Sequence, residues 1–113
     1  MDNASFVDLV GLNELPAKGF VVREHGELQI LIAQFKGDVF AVENLCSHAF
    51  ERFDEGRLRG FRLMCPLHGA CFDIRSGSAM GLPATGPIRS FGVRVEDGRV
   101  LVDLGDATRP ESP

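Results

Sequence analysis

Four residues in two short segments carry the most specific chemistry in this chain. Cys46 and His48 form a C-x-H segment, and Cys65 and His68 form a C-x-x-H segment that begins after sixteen intervening residues. Thiolate and imidazole are the soft and borderline donors that bind zinc, copper and iron–sulfur centres. Two Cys and two His can close a tetrahedral zinc site, but zinc spacings usually pair Cys with Cys and His with His. Here each segment mixes one of each. That division suits a binuclear centre between two loops, with both thiolates on one metal and both imidazoles on the other. From these residues alone, a zinc-binding interaction module and a mixed-ligand 2Fe-2S centre both stay open. The third cysteine, Cys71, lies outside both segments and reads as a small buried hydrophobe.

The elements that position these segments are short. The chain has 113 residues, the size of one domain able to bury a core without disulfides. Thirteen Gly, nine Phe, and neither Trp nor Tyr suit a loop-rich β protein. A net charge of -4 argues against a nucleic-acid partner, whose phosphates favour basic proteins. The stretch from Met1 to Val10 contains Asp2 and Asp8 and lacks the basic start and apolar run of a secretory signal. No stretch reaches the roughly 20 apolar residues of a membrane span. The expectation is a cytoplasmic protein without a membrane anchor, in a compartment where cysteines serve more often as metal ligands than as disulfide partners.

Strands are predicted over 5–11 (an edge strand), 19–24, 28–35, 39–43, 70–74, 88–96 and 99–104. Residues 58–64 read as one strand or as two broken at Gly60. Leu28, Ile30 and Ile32 share one face of their strand. Turns are predicted at 13–16, His25-Gly26, Lys36-Gly37-Asp38, 54–56, 76–78 and Asp97-Gly98, the last being the strongest hairpin signal. Two prolines stiffen the loop over 82–87. Residues 105–113 read as a frayed tail. The pattern, without a repeat or a long helix, predicts an antiparallel all-β domain over 1–104, with the ligand loops in a subdomain over about 45–86.

The flanks of the ligand segments extend the pattern. Cys65-Pro66-Leu67-His68-Gly69-Ala70, then Phe72-Asp73 and Ser76-Gly77, with Leu82-Pro83-Ala84 and Val93-Arg94-Val95-Glu96-Asp97-Gly98 further on, resemble the Rieske-type iron–sulfur family over about residues 5–104. The resemblance implies an antiparallel β sandwich or barrel with a small cluster-binding subdomain formed by two ligand loops. It implies one 2Fe-2S cluster, with Cys46 and Cys65 on the inner iron and His48 and His68 on the outer iron near solvent. It gives Gly69 the role of letting backbone amides approach the cluster, and the loop at Pro83 that of excluding water. Neutral imidazoles in place of two thiolates raise the reduction potential into a range of about -150 to +300 mV.

Family members at the upper end of that range carry an inter-loop disulfide, a Ser hydroxyl and a Tyr hydroxyl. The matching positions here are Glu51 and Leu67, Ala70, and Phe72. The resemblance therefore implies a low-potential carrier, similar to the ferredoxin component of bacterial aromatic ring-hydroxylating dioxygenases. Its partners would be a flavin-containing reductase oxidising NAD(P)H and a terminal oxygenase. It would act as a monomer with transient docking and without catalysis of its own. The small subunit of assimilatory nitrite reductases shares the fold but often lacks the ligands, and an iron–sulfur sensor would need a DNA-binding element that is not evident. His25 reads as a surface turn residue, and Phe50 and Phe53 as packing residues rather than docking ones. Glu51, Asp54 and Glu55 offer an acidic rim whose sign is blurred by Arg57, Arg59 and Arg62.

Overall fold

The structure is a computed structural model, and it describes residues 6–17, 19–45, 52–53, 56–66, 69–81 and 86–105. Cys46, His48, Phe50, Glu51, Asp54, Glu55, Leu67, His68, Leu82 to Ala84 and the tail beyond Gly105 lie outside the described residues.

Alternating and apolar runs separated by turn residues fold into β1 (Phe6–Gly11), β2 (Phe20–His25), β3 (Leu28–Phe35), β4 (Asp38–Glu43), β5 (Arg57–Arg59), β6 (Arg62–Met64), β7 (Cys71–Asp73), β8 (Ser90–Glu96) and β9 (Arg99–Asp103). A single 3-10 turn over Leu12–Glu14 follows β1. A six-stranded sheet has the order β1-β9-β8-β4-β3-β2, and a three-stranded sheet has the order β5-β6-β7. Every pairing is antiparallel. The all-β expectation is met, and β1 is an edge strand as its mixed sequence suggested.

Two-residue turns fix the register of the large sheet. Lys36-Gly37 and Asp97-Gly98 both take positive φ at each position, the geometry that matches strand twist in a tight hairpin. They set Phe35 opposite Asp38 and Glu96 opposite Arg99. Asp38 therefore belongs to β4 and not to the turn. His25 is likewise the last residue of β2, paired with Leu28 and half-buried, because the turn consists of Gly26 and Glu27. Residues 57–64 resolve into two strands around a Gly60-Phe61 turn.

The strand β3 lies between β4 and the edge strand β2 and is buried on both faces. Leu28, Ile30 and Ile32 enter one apolar cluster with Val10, Phe91, Val100 and Val102. Leu31 and Ala33 enter a second cluster with Phe53, Leu63, Phe72 and Ile74. The first cluster lies within the large sheet and its connections, while the second joins that sheet to the small one. The strand β8 divides its pairing, with Ser90 and Phe91 against β4 and Gly92 to Glu96 against β9. The small sheet lies between β4 and β8 in sequence. The chain leaves the large sheet at Glu43 and returns at Arg89, and the Glu43 N–H donates to the Arg89 carbonyl at 2.8 Å. This hydrogen bond closes the neck of the excursion that contains both ligand segments.

Candidate metal centre

The first ligand segment follows β4 after Asn44 and Leu45. Asn44 is almost wholly buried, so its amide must find partners in the protein. Its N–H donates to the Gln29 carbonyl at 2.8 Å, and its Nδ2 donates to Gln29 Oε1 at 3.1 Å. Its Oδ1 accepts from the Phe53 N–H at 2.8 Å. One side chain thus ties the two ends of the segment that contains Cys46 and His48 to the large sheet. Nothing in the sequence marks Asn44 for this role, since an Asn at the end of a strand reads as a turn residue.

The second ligand segment is the connection from β6 to β7. Cys65 is buried, in the same cluster as Ala70 and Phe72. Its N–H donates to the Ala70 carbonyl at 2.7 Å, which closes the segment into a tight loop. Gly69 is exposed and has a φ of +70°. That φ lies in the left-handed region, which side chains other than glycine rarely adopt.

The two segments are locked to one another. Phe53, at the end of the first, packs edge-to-face on Phe72, just after the second, with ring centroids 5.6 Å apart. Phe53 is fully buried, so it packs as expected and presents no docking surface. At Gly56 the exit of the first segment lies against the end of β6, with the Gly56 N–H on the Phe53 carbonyl at 2.7 Å. A Cβ on Gly56 would collide with the Met64 carbonyl oxygen. Sequence reasoning passed over Gly56 as an ordinary turn glycine.

Strand alternation also corrects Cys71. It pairs with Met64 and is half-exposed, because Phe72 takes the inward position of β7. Cys71 is a free thiol on the outer face rather than a buried hydrophobe. Beyond β7, the Asp73 carboxylate accepts from Arg75 Nε at 3.0 Å, from Nη2 at 2.8 Å and from the Arg75 N–H at 2.8 Å. These bonds hold the Asp73 carboxyl below the usual aspartate value. The Arg75 guanidinium stacks 3.7 Å from the centre of the Phe61 ring, and Phe61 meets Phe35 of the large sheet edge-to-face at 5.9 Å. This clamp seats the small sheet on the large one.

Of the four predicted ligands, the described residues place Cys65, buried at the head of a closed loop. The donor set suits a thiolate- and imidazole-bound iron–sulfur centre. The described framework around Cys46, His48 and His68 brings the two segments together through Asn44, Gly56 and the Phe53–Phe72 pair. Among the described residues no helix is long and apolar enough to cross a membrane.

The model of the Rieske [2Fe-2S] domain matches residues 5–92. The ferredoxin component of the naphthalene 1,2-dioxygenase system of Pseudomonas aeruginosa is 34% identical over 100 residues, covering 88% of this chain and 95% of that protein. The ferredoxin component of biphenyl 2,3-dioxygenase of Rhodococcus jostii (strain RHA1) is 43% identical over 89 residues, covering 78% of this chain and 83% of that protein. Among solved structures, the ferredoxin of carbazole 1,9a-dioxygenase from Nocardioides aromaticivorans IC177 is similar with a TM-score of 0.83 and 29% identity, covering 88% of this chain and 97% of that one.

Proposed function

The chain belongs to the Rieske 2Fe-2S family, and on that premise we propose that it carries single electrons to the terminal oxygenase of an aromatic ring-hydroxylating dioxygenase system. The observation that supports this most is the likeness to ferredoxin components over most of their length, from 83% to 97% in the three relatives named above. The electrons come from a flavin-containing reductase that oxidises NAD(P)H. Hydroxylation takes place on the oxygenase, and this chain is a transfer component, a monomer that docks transiently in the cytoplasm. Residues 1–104 form its single domain.

Cys46 and Cys65 hold one iron and His48 and His68 the other in this reading. When bound, such a cluster supplies one-electron redox chemistry at potentials between about -150 and +300 mV. The protein's own contribution is position and environment. Cys65 offers its sulfur from a buried, closed loop. Asn44 and the Phe53–Phe72 contact anchor the two flanks of the first segment. Ala70 and Phe72 share the buried cluster of Cys65 and carry no hydroxyl, which favours the low end of the range.

The test is reconstitution with a reductase, NAD(P)H and an oxygenase of this class. The expected protein contains two irons and two acid-labile sulfides per chain and supports product formation that stops when it is omitted. Cys65→Ala or His68→Ala abolishes cofactor and turnover together. A colourless protein with one zinc and no labile sulfide overturns the reading.

A further inference from the structure

The outer face of the small sheet carries charge that electron transfer at the ligand loops does not call for. Leu58 and Leu63 face each other across β5 and β6 and pack into the core. Alternation places Arg57, Arg59 and Arg62 on the opposite face, and all three are exposed. Arg59 and Arg62 are register partners. Their Cα atoms are therefore about 5 Å apart, with two cationic side chains leaving the same side of the sheet. Like charges directly opposite each other on a strand pair oppose folding.

The next strand offers no relief. The residue opposite Arg62 on β7 is Asp73, and both of its carboxylate oxygens are taken by Arg75. Among the described residues, Arg57, Arg59 and Arg62 make no ion pair, whereas Arg23, Arg75, Arg94 and Arg99 all do. Beside the arginines on this face lie half-exposed Met64 and Cys71. Arg59 and Gly60 also border two open clefts, of about 430 and 380 Å³, on either side of the hairpin turn.

We propose that this arginine face is the docking surface for a carboxylate-bearing patch on the terminal oxygenase, an inference that rests on the reading given under Proposed function. The charge is local and cationic on a chain whose net charge is -4. An extended polyanion such as nucleic acid would meet repulsion from the rest of the molecule, while a compact group of protein carboxylates would not. Carboxylates accept paired hydrogen bonds from guanidinium and suit the two facing arginines. The strand β6 runs directly from Arg62 to Cys65, so a partner on this face lies beside the second ligand segment.

The test uses the cluster-loaded protein and follows electron transfer from its reduced form to the oxygenase. Salt is raised from roughly 0.01 to 1 M, over which the screening length falls from about 30 to 3 Å. The double variant Arg59→Gln/Arg62→Gln is expected to lose about five- to tenfold in second-order rate at low salt and most of its salt dependence. Its visible spectrum and potential stay those of the wild type, and its Tm does not fall. Arg59→Lys/Arg62→Lys keeps the charge and retains most of the rate. A double Gln variant with wild-type rate and salt slope overturns the proposal, as does a loss seen only with the reductase. A wild-type protein that delivers no electrons to the oxygenase overturns the functional reading as well, which separates the two failures.

Discussion

Ala70 and Phe72 flank Cys71, and both are fully buried in the cluster that holds Cys65. Neither can donate a hydrogen bond from its side chain. Donors to a cluster or its thiolates stabilise the negative charge gained on reduction, so in the proposed reading the lack of a hydroxyl at these two positions favours a low potential. The double variant Ala70→Ser/Phe72→Tyr is expected to raise the potential by tens of millivolts, read by potentiometry on the loaded protein. Each added hydroxyl is buried and costs about 1–3 kcal/mol if it finds no acceptor. A potential that stays put while the Tm drops would show that the hydroxyls do not reach the centre. The ligand expectation at Cys46, His48, Cys65 and His68 rests on side-chain type and spacing, which a sequence displays directly. Asn44 and Gly56 were not legible in this way. Their roles depend on what lies across from them, a Phe53 amide and a Met64 carbonyl, and neither is near in sequence order to the residue it serves.

The elements divide in the same way. The hairpin closed by Asp97-Gly98 was readable because its register follows from the turn itself, whereas the turn at Lys36-Gly37 was read one residue too long, with Asp38 in it. The double burial of β3 showed only as a strongly apolar run, and the divided pairing of β8 left no local mark. Cys71 was misplaced because alternation in a three-residue strand is too short to give its phase, and the inward place went to Phe72. The small sheet is seated by a chain of contacts from Asp73 through Arg75 and Phe61 to Phe35. Arg75 holds the Asp73 carboxyl below its ordinary value of 3.8. The carboxylate's contribution is thus complete above that value and fades as pH falls through the lowered one. Because the pair is partly exposed, Asp73→Asn is expected to cost no more than about 1 kcal/mol at neutral pH. Thermal melts of wild type and variant should converge only as the pH is lowered well below 3.8. A difference that persists in acid would assign the effect to packing of Arg75 on Phe61 instead.

Across the whole molecule, two apolar clusters meet at β3 and differ in what they depend on. One is built from the large sheet and its connections, and the other needs the small sheet and the residues that flank the two predicted ligand segments. Stripping iron from the loaded protein with a chelator should therefore act unevenly. Amide exchange at Leu63 and Phe72 is expected to quicken at least about tenfold, while Ile30 and Ile32 stay protected. Uniform loss of protection would mean that the two clusters form one cooperative unit. The neck at Glu43 and Arg89 has a consequence for folding kinetics. The meander β2–β3–β4 closes through two-residue turns and needs only local contacts. The seam between β4 and β8 joins residues about fifty positions apart, so it can zip only after a long loop has closed. Loop closure grows slowly with length, by about 0.6 kcal/mol for each doubling. Extra residues in the connections of the excursion consequently cost little at equilibrium so long as the small sheet keeps its contacts, and the speed of folding is where a longer excursion is felt.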